Sequence, residues 1–321
     1  MLNKKISVVI PCFNEQENIL PMYDRLKKTL DKVTVNYEII YVNNGSTDNS
    51  DRVFRDLARK DKKVTVIFLS RNFYKAQGAY TAGMDYVTGD AAALIDGDLQ
   101  DPPEVIPKMI DKWQEGFNIV YGVRKKREGS GLRKIGYTLF YRLFKKLSYV
   151  DIPLDAGDFS LIDRKVLAVI NSMPERDRYI RGLRAWVGFK HTGVEYTRVE
   201  RKRGVTTNSL LDNFRWAALG IFSFSYVPLE LISWLAIAVV ALSAIAIVGY
   251  TIAYFLLPEF NPQGFLTLLV AILFLGGIQL LCLSIIGQYL GKMFEEIKAR
   301  PKYIISEILN DNRKRVKVSP Q

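Results

Sequence analysis

Histidine and cysteine are nearly absent: the 321 residues contain one His and two Cys. Cys12 and Cys282 lie far apart in strongly apolar surroundings, which rules out a disulfide framework or a cysteine zinc site and fits a reducing compartment. With His191 alone, His-rich metal centres are excluded and a Ser/His/Asp triad is disfavoured. His191 itself reads as an ordinary surface residue. Internal repeats and low-complexity segments are lacking too. Charge is missing from two long runs, Leu231 to Leu257 and Gly264 to Gly291. Each can cross a hydrocarbon core of about 30 Å with some tilt, and core helices of soluble proteins are seldom charge-free for so long. The link between them, Pro258-Glu259-Phe260-Asn261-Pro262-Gln263, has no Lys or Arg, whereas the flanks are rich in both, from Lys292 and Lys298 to Arg313, Lys314, Arg315 and Lys317. By the positive-inside rule both termini and the polar N-terminal portion face the cytoplasm of a cell (inner or plasma) membrane.

What the chain does have is positive charge: a formal net charge of +12 and a pI near 9.5 point to a polyanionic partner. Its first hundred residues alternate strand and helix patterns. Ile6 to Pro11 reads as a buried strand and not as a signal peptide, because the run is short and Asn14-Glu15-Gln16-Glu17 follows where small residues would mark a cleavage site. Asn18 to Leu30 has helical spacing, Tyr37 to Val42 is a strand, Ser50 to Lys60 a helix, Val64 to Leu69 a strand, and Lys75 to Val87 a helix. Such alternation predicts a mostly parallel, doubly wound α/β sheet with its ligands beyond the carboxyl ends of the strands.

One of those ends is acidic. The apolar run Ala91 to Ile95 opens into Asp96-Gly97-Asp98-Leu99-Gln100-Asp101-Pro102-Pro103. Asp96 and Asp98 stand two positions apart, on one face of an extended chain, and Gly97 is expected to supply a bend that brings both toward one hard cation. Asp96, Asp98 and the neutral oxygen of Gln100 form a candidate site for Mg²⁺ or Mn²⁺, with positions left for substrate phosphates. Pro102-Pro103 would stiffen the exit.

Three segments then fall into register. Ile10-Pro11-Cys12-Phe13-Asn14-Glu15, Val42-Asn43-Asn44-Gly45-Ser46-Thr47-Asp48 and Asp96 to Pro103 resemble, in order, the signatures of family 2 glycosyltransferases of the GT-A fold. The resemblance covers most of the first 210 residues and is nearest to the polyprenyl-phosphate glycosyltransferases, the bactoprenol glucosyltransferases and dolichol-phosphate mannose synthases. It implies a nucleotide-sugar donor bordered by Pro11, Phe13 and Glu15, with Asn44 at the base and Asp96, Asp98 and Gln100 at the metal and diphosphate, Asp98 counting among the catalytic residues. Asp155-Ala156-Gly157-Asp158-Phe159-Ser160-Leu161 matches the element that lies against the reacting sugar, which puts Asp158 at the position of the catalytic base. Arg201-Lys202-Arg203-Gly204-Val205-Thr206 is similar to the loop that covers the diphosphate, and the resemblance gives the acceptor phosphate to Arg124, Arg133 and Arg201. Three departures stand out: Asn43-Asn44 replaces the usual Asp-Asp and leaves the base open, Tyr74 replaces a frequent glycine, and Thr207-Asn208 replaces a Lys-aromatic pair.

Leu132 to Val150 sets Leu139, Phe140, Leu143, Phe144 and Leu147 at helical spacing among Arg133, Lys134, Arg142, Lys145 and Lys146, a pattern suited to a membrane interface. No nucleic-acid-binding motif accompanies this basic stretch. The chain thus divides into a GT-A domain over 1–210 with an interfacial helix at about 131–150, a juxtamembrane amphipathic helix over 211–228, membrane helices over 229–257 and 264–291, and a basic cytoplasmic tail over 292–321, disordered beyond Asn310. The resemblance implies inverting, metal-dependent transfer of a hexose, glucose from UDP-glucose foremost, to a polyprenyl (undecaprenyl or dolichyl) phosphate. Two alternatives are a processive polysaccharide synthase, disfavoured because Asp212 stands where a Gln-x-x-Arg-Trp motif needs Gln, and a non-catalytic nucleotide-binding scaffold. The sugar, the polyprenol length and homo-oligomerisation stay open.

Overall fold

The computed structural model describes residues 2–34, 36–125, 150, 153, 156–176, 178–199, 225–256 and 264–313. The expected interfacial helix, Arg133, the loop from Arg201 and the juxtamembrane helix lie outside the described residues, apart from Val150 and Ser225 to Pro228 at their ends.

Eight strands form one sheet in the order β7-β5-β6-β4-β1-β2-β3-β8, where β1 is Ile6–Cys12, β2 Tyr37–Asn43, β3 Val64–Leu69, β4 Ala91–Leu94, β5 Ile119–Arg124, β6 Ala156–Asp163, β7 His191–Tyr196 and β8 Ile305–Leu309. The strand pairs β1/β2, β1/β4, β2/β3 and β5/β7 are parallel, whereas β4/β6, β5/β6 and β3/β8 are antiparallel. From β1 the chain winds outward through β2 and β3, then returns to place β4 on the other side of β1. That reversal makes the gap between the ends of β1 and β4 the topological switch point, where doubly wound sheets bind ligands.

The strands β1 to β4 are buried along their whole length because helices cover both faces. Alternate residues part to opposite cores. Ile6, Val8 and Ile10 pack with α1 (Ile19–Leu30), α2 (Ser50–Lys60) and α4 (Ile106–Gln114), while Val9 packs with α3 (Lys75–Met84), α5 (Arg164–Ser172) and α6 (Ile180–Trp186). α3 is built of small residues and sits close to the sheet: a Cβ on Gly83 would lie 2.3 Å from Val9 Cγ1. This closeness carries Tyr80, on the same helix, toward the acidic rim.

Two further helices, α7 (Val227–Leu256) and α8 (Phe265–Ile297), are long and apolar enough to cross a membrane. After them the chain does what its charge pattern conceals. Residues 305–309, assigned by that pattern to a basic tail, pair with β3 as the outermost strand, with Ile67 opposite Ile308 and Phe68 opposite Glu307. Arg55 grips Glu307 with two hydrogen bonds of 2.8 and 2.6 Å, and Asn310 Nδ2 donates to the carbonyls of Ala58 and Val64 at 2.6 and 2.9 Å. Described structure therefore continues past Asn310, to Arg313, whose guanidinium lies 3.3 Å from the Tyr86 ring centroid. A five-residue edge strand carrying a charged residue leaves little periodicity to read.

Candidate active site

The loops leaving β1, β2 and β3 are laced into one platform. Asn14, at φ 55°, accepts from Thr47 N at 2.8 Å, and its own N–H donates to Ser46 Oγ at 3.0 Å. Gln16 N donates to Asp48 Oδ2 at 3.1 Å, and Asn49 N donates back to Gln16 Oε1 at 2.9 Å. Gly45 has φ +70°, and a Cβ there would fall 2.6 Å from the Arg71 carbonyl carbon, so this position requires glycine. Pro11 is buried at the rim, and Phe13 and Glu15 are half-buried beside it, with Glu15 accepting from Asn18 Nδ2 at 2.5 Å.

Asn44 lies below that surface. It is 1% exposed, its Oδ1 accepts from Phe73 N at 2.9 Å, and its Nδ2 donates to Asn72 Oδ1 and the Lys75 carbonyl at 3.1 and 2.7 Å. Its amide thus fixes the loop over residues 72–75. In that loop Tyr74 and Lys75 have φ 47° and 52°, left-handed conformations that cost a side-chain-bearing residue about 1–2 kcal/mol each. Tyr74 is 45% exposed, so little packing offsets the strain. Tyr74→Gly is expected to raise stability by about 1 kcal/mol; a thermal melt showing a lower Tm for the variant would refute this.

The acidic loop leaves β4 between the platform and β6. Its bend is made differently from the expected way. Gly97 has no positive φ; it is required by space, since a Cβ would lie 2.7 Å from Cys12 Sγ and 3.0 Å from the Pro11 carbonyl oxygen. The left-handed residue is Leu99, φ 62°. Asp96 Oδ1 accepts from Tyr80 Oη at 2.8 Å, Asp98 Oδ1 from Gln100 N at 3.1 Å, and Asp101 Oδ1 from Tyr196 Oη at 2.5 Å. Burial, together with the charges of Asp101, Asp98 and Asp158, pushes the Asp96 carboxyl up to about 7. Arg198 stands 3.8 Å from Asp98 Oδ2 and 3.5 Å from Asp101 Oδ1, and Asp101 Oδ2 is buried with no hydrogen-bond partner among the described residues. Crowded carboxylates of this kind, one held partly protonated, fit a divalent cation, which would relieve their repulsion. Among the described residues no three acidic, His or Cys side chains close round an ion. An open set matches a cation that is shared with phosphate oxygens.

Asp158, on β6, faces the same space. It is 7% exposed, and its two oxygens accept from Arg181 Nε and Nη2 at 3.0 Å each. Burial alone would raise its pKa, but Arg181, with Arg184 and Gln77, outweighs burial and holds the carboxyl below the usual range. Arg124, at the end of β5, donates from Nε to Tyr196 Oη at 3.2 Å. Burial and the Arg181 charge would lower its pKa, yet Tyr196 and Asp101 raise it on balance. The tyrosine therefore links Arg124 to the acidic loop. Gln100 joins this loop to the strand end beyond β7, its carbonyl accepting from Val199 N at 3.0 Å.

Of the residues singled out from the sequence, Asp96, Asp98, Gln100, Asp158 and Arg124 thus meet around the switch point, with Pro11, Phe13 and Glu15 on the adjoining platform. Arg181, Arg184, Tyr196 and Arg198 were not anticipated. Arg181 and Arg184 share one face of α6 by their spacing, but a seven-residue helix gives a weak signal. Tyr196 and Arg198 follow a strand whose burial alternates poorly.

Comparison with known proteins agrees with this geometry. The family model described as glycosyl transferase family 2 matches residues 7–170. An uncharacterised glycosyltransferase of Synechocystis sp. is 40% identical over 305 residues, 95% of each chain. A prophage bactoprenol glucosyl transferase homologue of Escherichia coli is 40% identical over 309 residues, covering 95% of this chain and 99% of its own. An SfII prophage-derived bactoprenol glucosyl transferase of Shigella flexneri is 38% identical over 305 residues, covering 94% and 98%. With half of the chain matched by the family model and such relatives aligned along nearly all of it, the chain belongs to glycosyl transferase family 2 and is a glycosyltransferase of the GT-A fold.

Proposed function

We propose that the protein transfers a hexose from a nucleoside diphosphate to a polyprenyl phosphate at the cytoplasmic face of the membrane. The observation that carries this reading is the juxtaposition, at one switch point, of the Asp96/Asp98 pair with the arginine-lined recess around Asp158. One half suits a metal-bound diphosphate and the other a second phosphate. The relatives named bactoprenol glucosyl transferase, and two helices suited to a bilayer, support the lipid acceptor and favour glucose.

In this reading Pro11, Phe13 and Glu15 border the nucleoside, and Asn44 acts from beneath by fixing the 72–75 loop. Asp96, Asp98 and Gln100 would hold Mg²⁺ or Mn²⁺, which neutralises charge on the departing diphosphate. Arg124, with Arg133 and Arg201, holds the acceptor phosphate in line. One oxygen of that phosphate forms the bond to the anomeric carbon while the bond to the donor diphosphate breaks. The nucleoside diphosphate leaves with the electron pair, and the anomeric configuration inverts. The termini and the catalytic half lie on the side where positive charge gathers.

The test is a radiolabelled-donor assay that offers polyprenyl phosphate, free polyprenol and an oligosaccharide side by side. Label entering the phosphate alone is the expected result. Preference for the oligosaccharide would replace this reading with a processive polysaccharide synthase. For the base, UDP is expected to protect against thermal unfolding better than GDP in Mg²⁺ or Mn²⁺, because a ligand of the native state stabilises it by mass action. Greater protection by GDP would reject a uracil donor.

A further inference from the structure

Three guanidinium groups converge on Gly157 and Asp158. Arg181 grips the Asp158 carboxylate with two bonds of 3.0 Å. Arg184 Nη2 donates to the Gly157 carbonyl at 3.1 Å, while its Nη1 is buried with no partner among the described residues. Arg124 approaches from β5 so closely that a Cβ on Gly157 would lie 3.0 Å from its Nη2. The nearby acids are mostly spoken for: Asp101 by Tyr196 and Arg198, Asp96 by Tyr80. Asp158 pairs with Arg181, and Asp101 acts on Arg124 across Tyr196, so among the described residues the three cations of this recess outnumber the acids that face them and leave it net positive. A phosphomonoester brings about −1.5 to −2.

The three arginines are not equivalent. Arg184 is 3% exposed and belongs to the interior, where burial lowers its pKa to about 10. The Arg181 side chain keeps 27% of its surface, against 8% for Asp158. Arg181 is therefore the more accessible member of the ion pair and the carboxylate the more buried. That order is the reverse of what proton abstraction from an acceptor would need.

We infer that Arg181 positions the acceptor's phosphate and selects a phosphomonoester over an alcohol, while Asp158 serves as the counter-ion that aims Arg181 and takes no proton. The inference rests on the function proposed above and deepens it. The chemistry is consistent, because a phosphomonoester with a second pKa of about 6 is already a nucleophile at neutral pH. An alcohol acceptor would need a base, and a carboxylate held below its usual range by Arg181 is a poor one.

The experiment uses the full chain in lipid nanodiscs, with radiolabelled UDP-hexose and polyprenyl phosphate. Arg181→Gln is expected to raise KM for the acceptor about 10- to 100-fold, the span of a lost charged hydrogen bond, and to weaken binding of a short-chain prenyl phosphate, titrated without donor, by the same factor. Arg181→Lys keeps the charge without the fork and should fall between. Asp158→Asn should raise acceptor KM with kcat within about tenfold of wild type, and adding it to Arg181→Gln should change acceptor KM little further, since both act through one arrangement. Protection by UDP, equal to that of wild type, certifies the fold of each variant. Unchanged acceptor KM and unchanged prenyl-phosphate binding in Arg181→Gln would overturn the inference. So would a loss of kcat by about 10³-fold or more at constant KM in Asp158→Asn, the signature of a lost base. A wild-type enzyme that ignores polyprenyl phosphate would instead defeat the proposed function itself.

Discussion

Asp98→Asn is expected to abolish turnover, by at least about 10³-fold, and to remove the thermal protection that Mn²⁺ and UDP give together. The variant keeps its shape, because the carboxylate's local bond, from Gln100 N to Oδ1, can be accepted equally by an amide oxygen. It loses the negative charge that a hard cation requires. The repulsion between Asp98 and Asp96 goes with it, so the variant without metal should melt no lower than wild type. Excess chelator should bring wild type to the same inactive state while leaving its fold in place. Undiminished activity in the variant, or full wild-type activity in chelator, would remove the metal from these residues. Measuring melting with and without Mn²⁺ separates a lost metal from a lost fold, which activity alone cannot do.

The second large effect concerns the last strand. A chain cut after Ser225 loses both apolar helices and β8 with them, so it is no simple soluble version of the catalytic domain. Removing β8 uncovers the ladder edge of β3, frees Arg55 from Glu307, and leaves the Ala58 and Val64 carbonyls without Asn310. Lost ladder pairing and apolar cover together cost about 3 kcal/mol, which for a domain of this size lowers Tm by about 6–12 °C. The exposed edge should also promote aggregation. A chain ending at Arg313, which keeps β8, should melt like the full-length protein in the same detergent. Equal melting temperatures and equal solubility for the 225-residue fragment would show that β8 contributes nothing to the domain.

Much of this arrangement is legible in the sequence because strong local patterns and the fold agree. Ile6 to Pro11, Tyr37 to Val42 and Val64 to Leu69 are largely apolar runs of strand length, each followed by turn residues, and their order alone places Asp96 and Asp98 at a strand's carboxyl end. Other parts depend on three-dimensional neighbours. Gly97 is fixed by Cys12 and the Pro11 carbonyl, far earlier in the chain, so its role cannot be read from the Asp-Gly-Asp triplet. Asn44 carries a familiar signature position, yet its amide is committed inward to Phe73, Asn72 and Lys75. Arg181 acquires meaning only once β6 sets Asp158 beside it. The two long apolar helices are legible from composition, whereas the strand that follows them is hidden by the charge around it.

The position of β8 in the chain has a consequence for biosynthesis. Every other strand of the sheet leaves the ribosome before the two apolar helices, and β8 leaves after both. Until β8 emerges, throughout the synthesis of both long apolar helices, the nascent catalytic half carries an open β3 edge. If α7 and α8 cross a bilayer as proposed, the closing strand reaches that edge only after the second crossing has brought the chain back to the side it left. Completion of the sheet thus requires that crossings come as a pair, and a chain in which only one of the two helices spanned would strand its β8 across the bilayer from the edge it is meant to close.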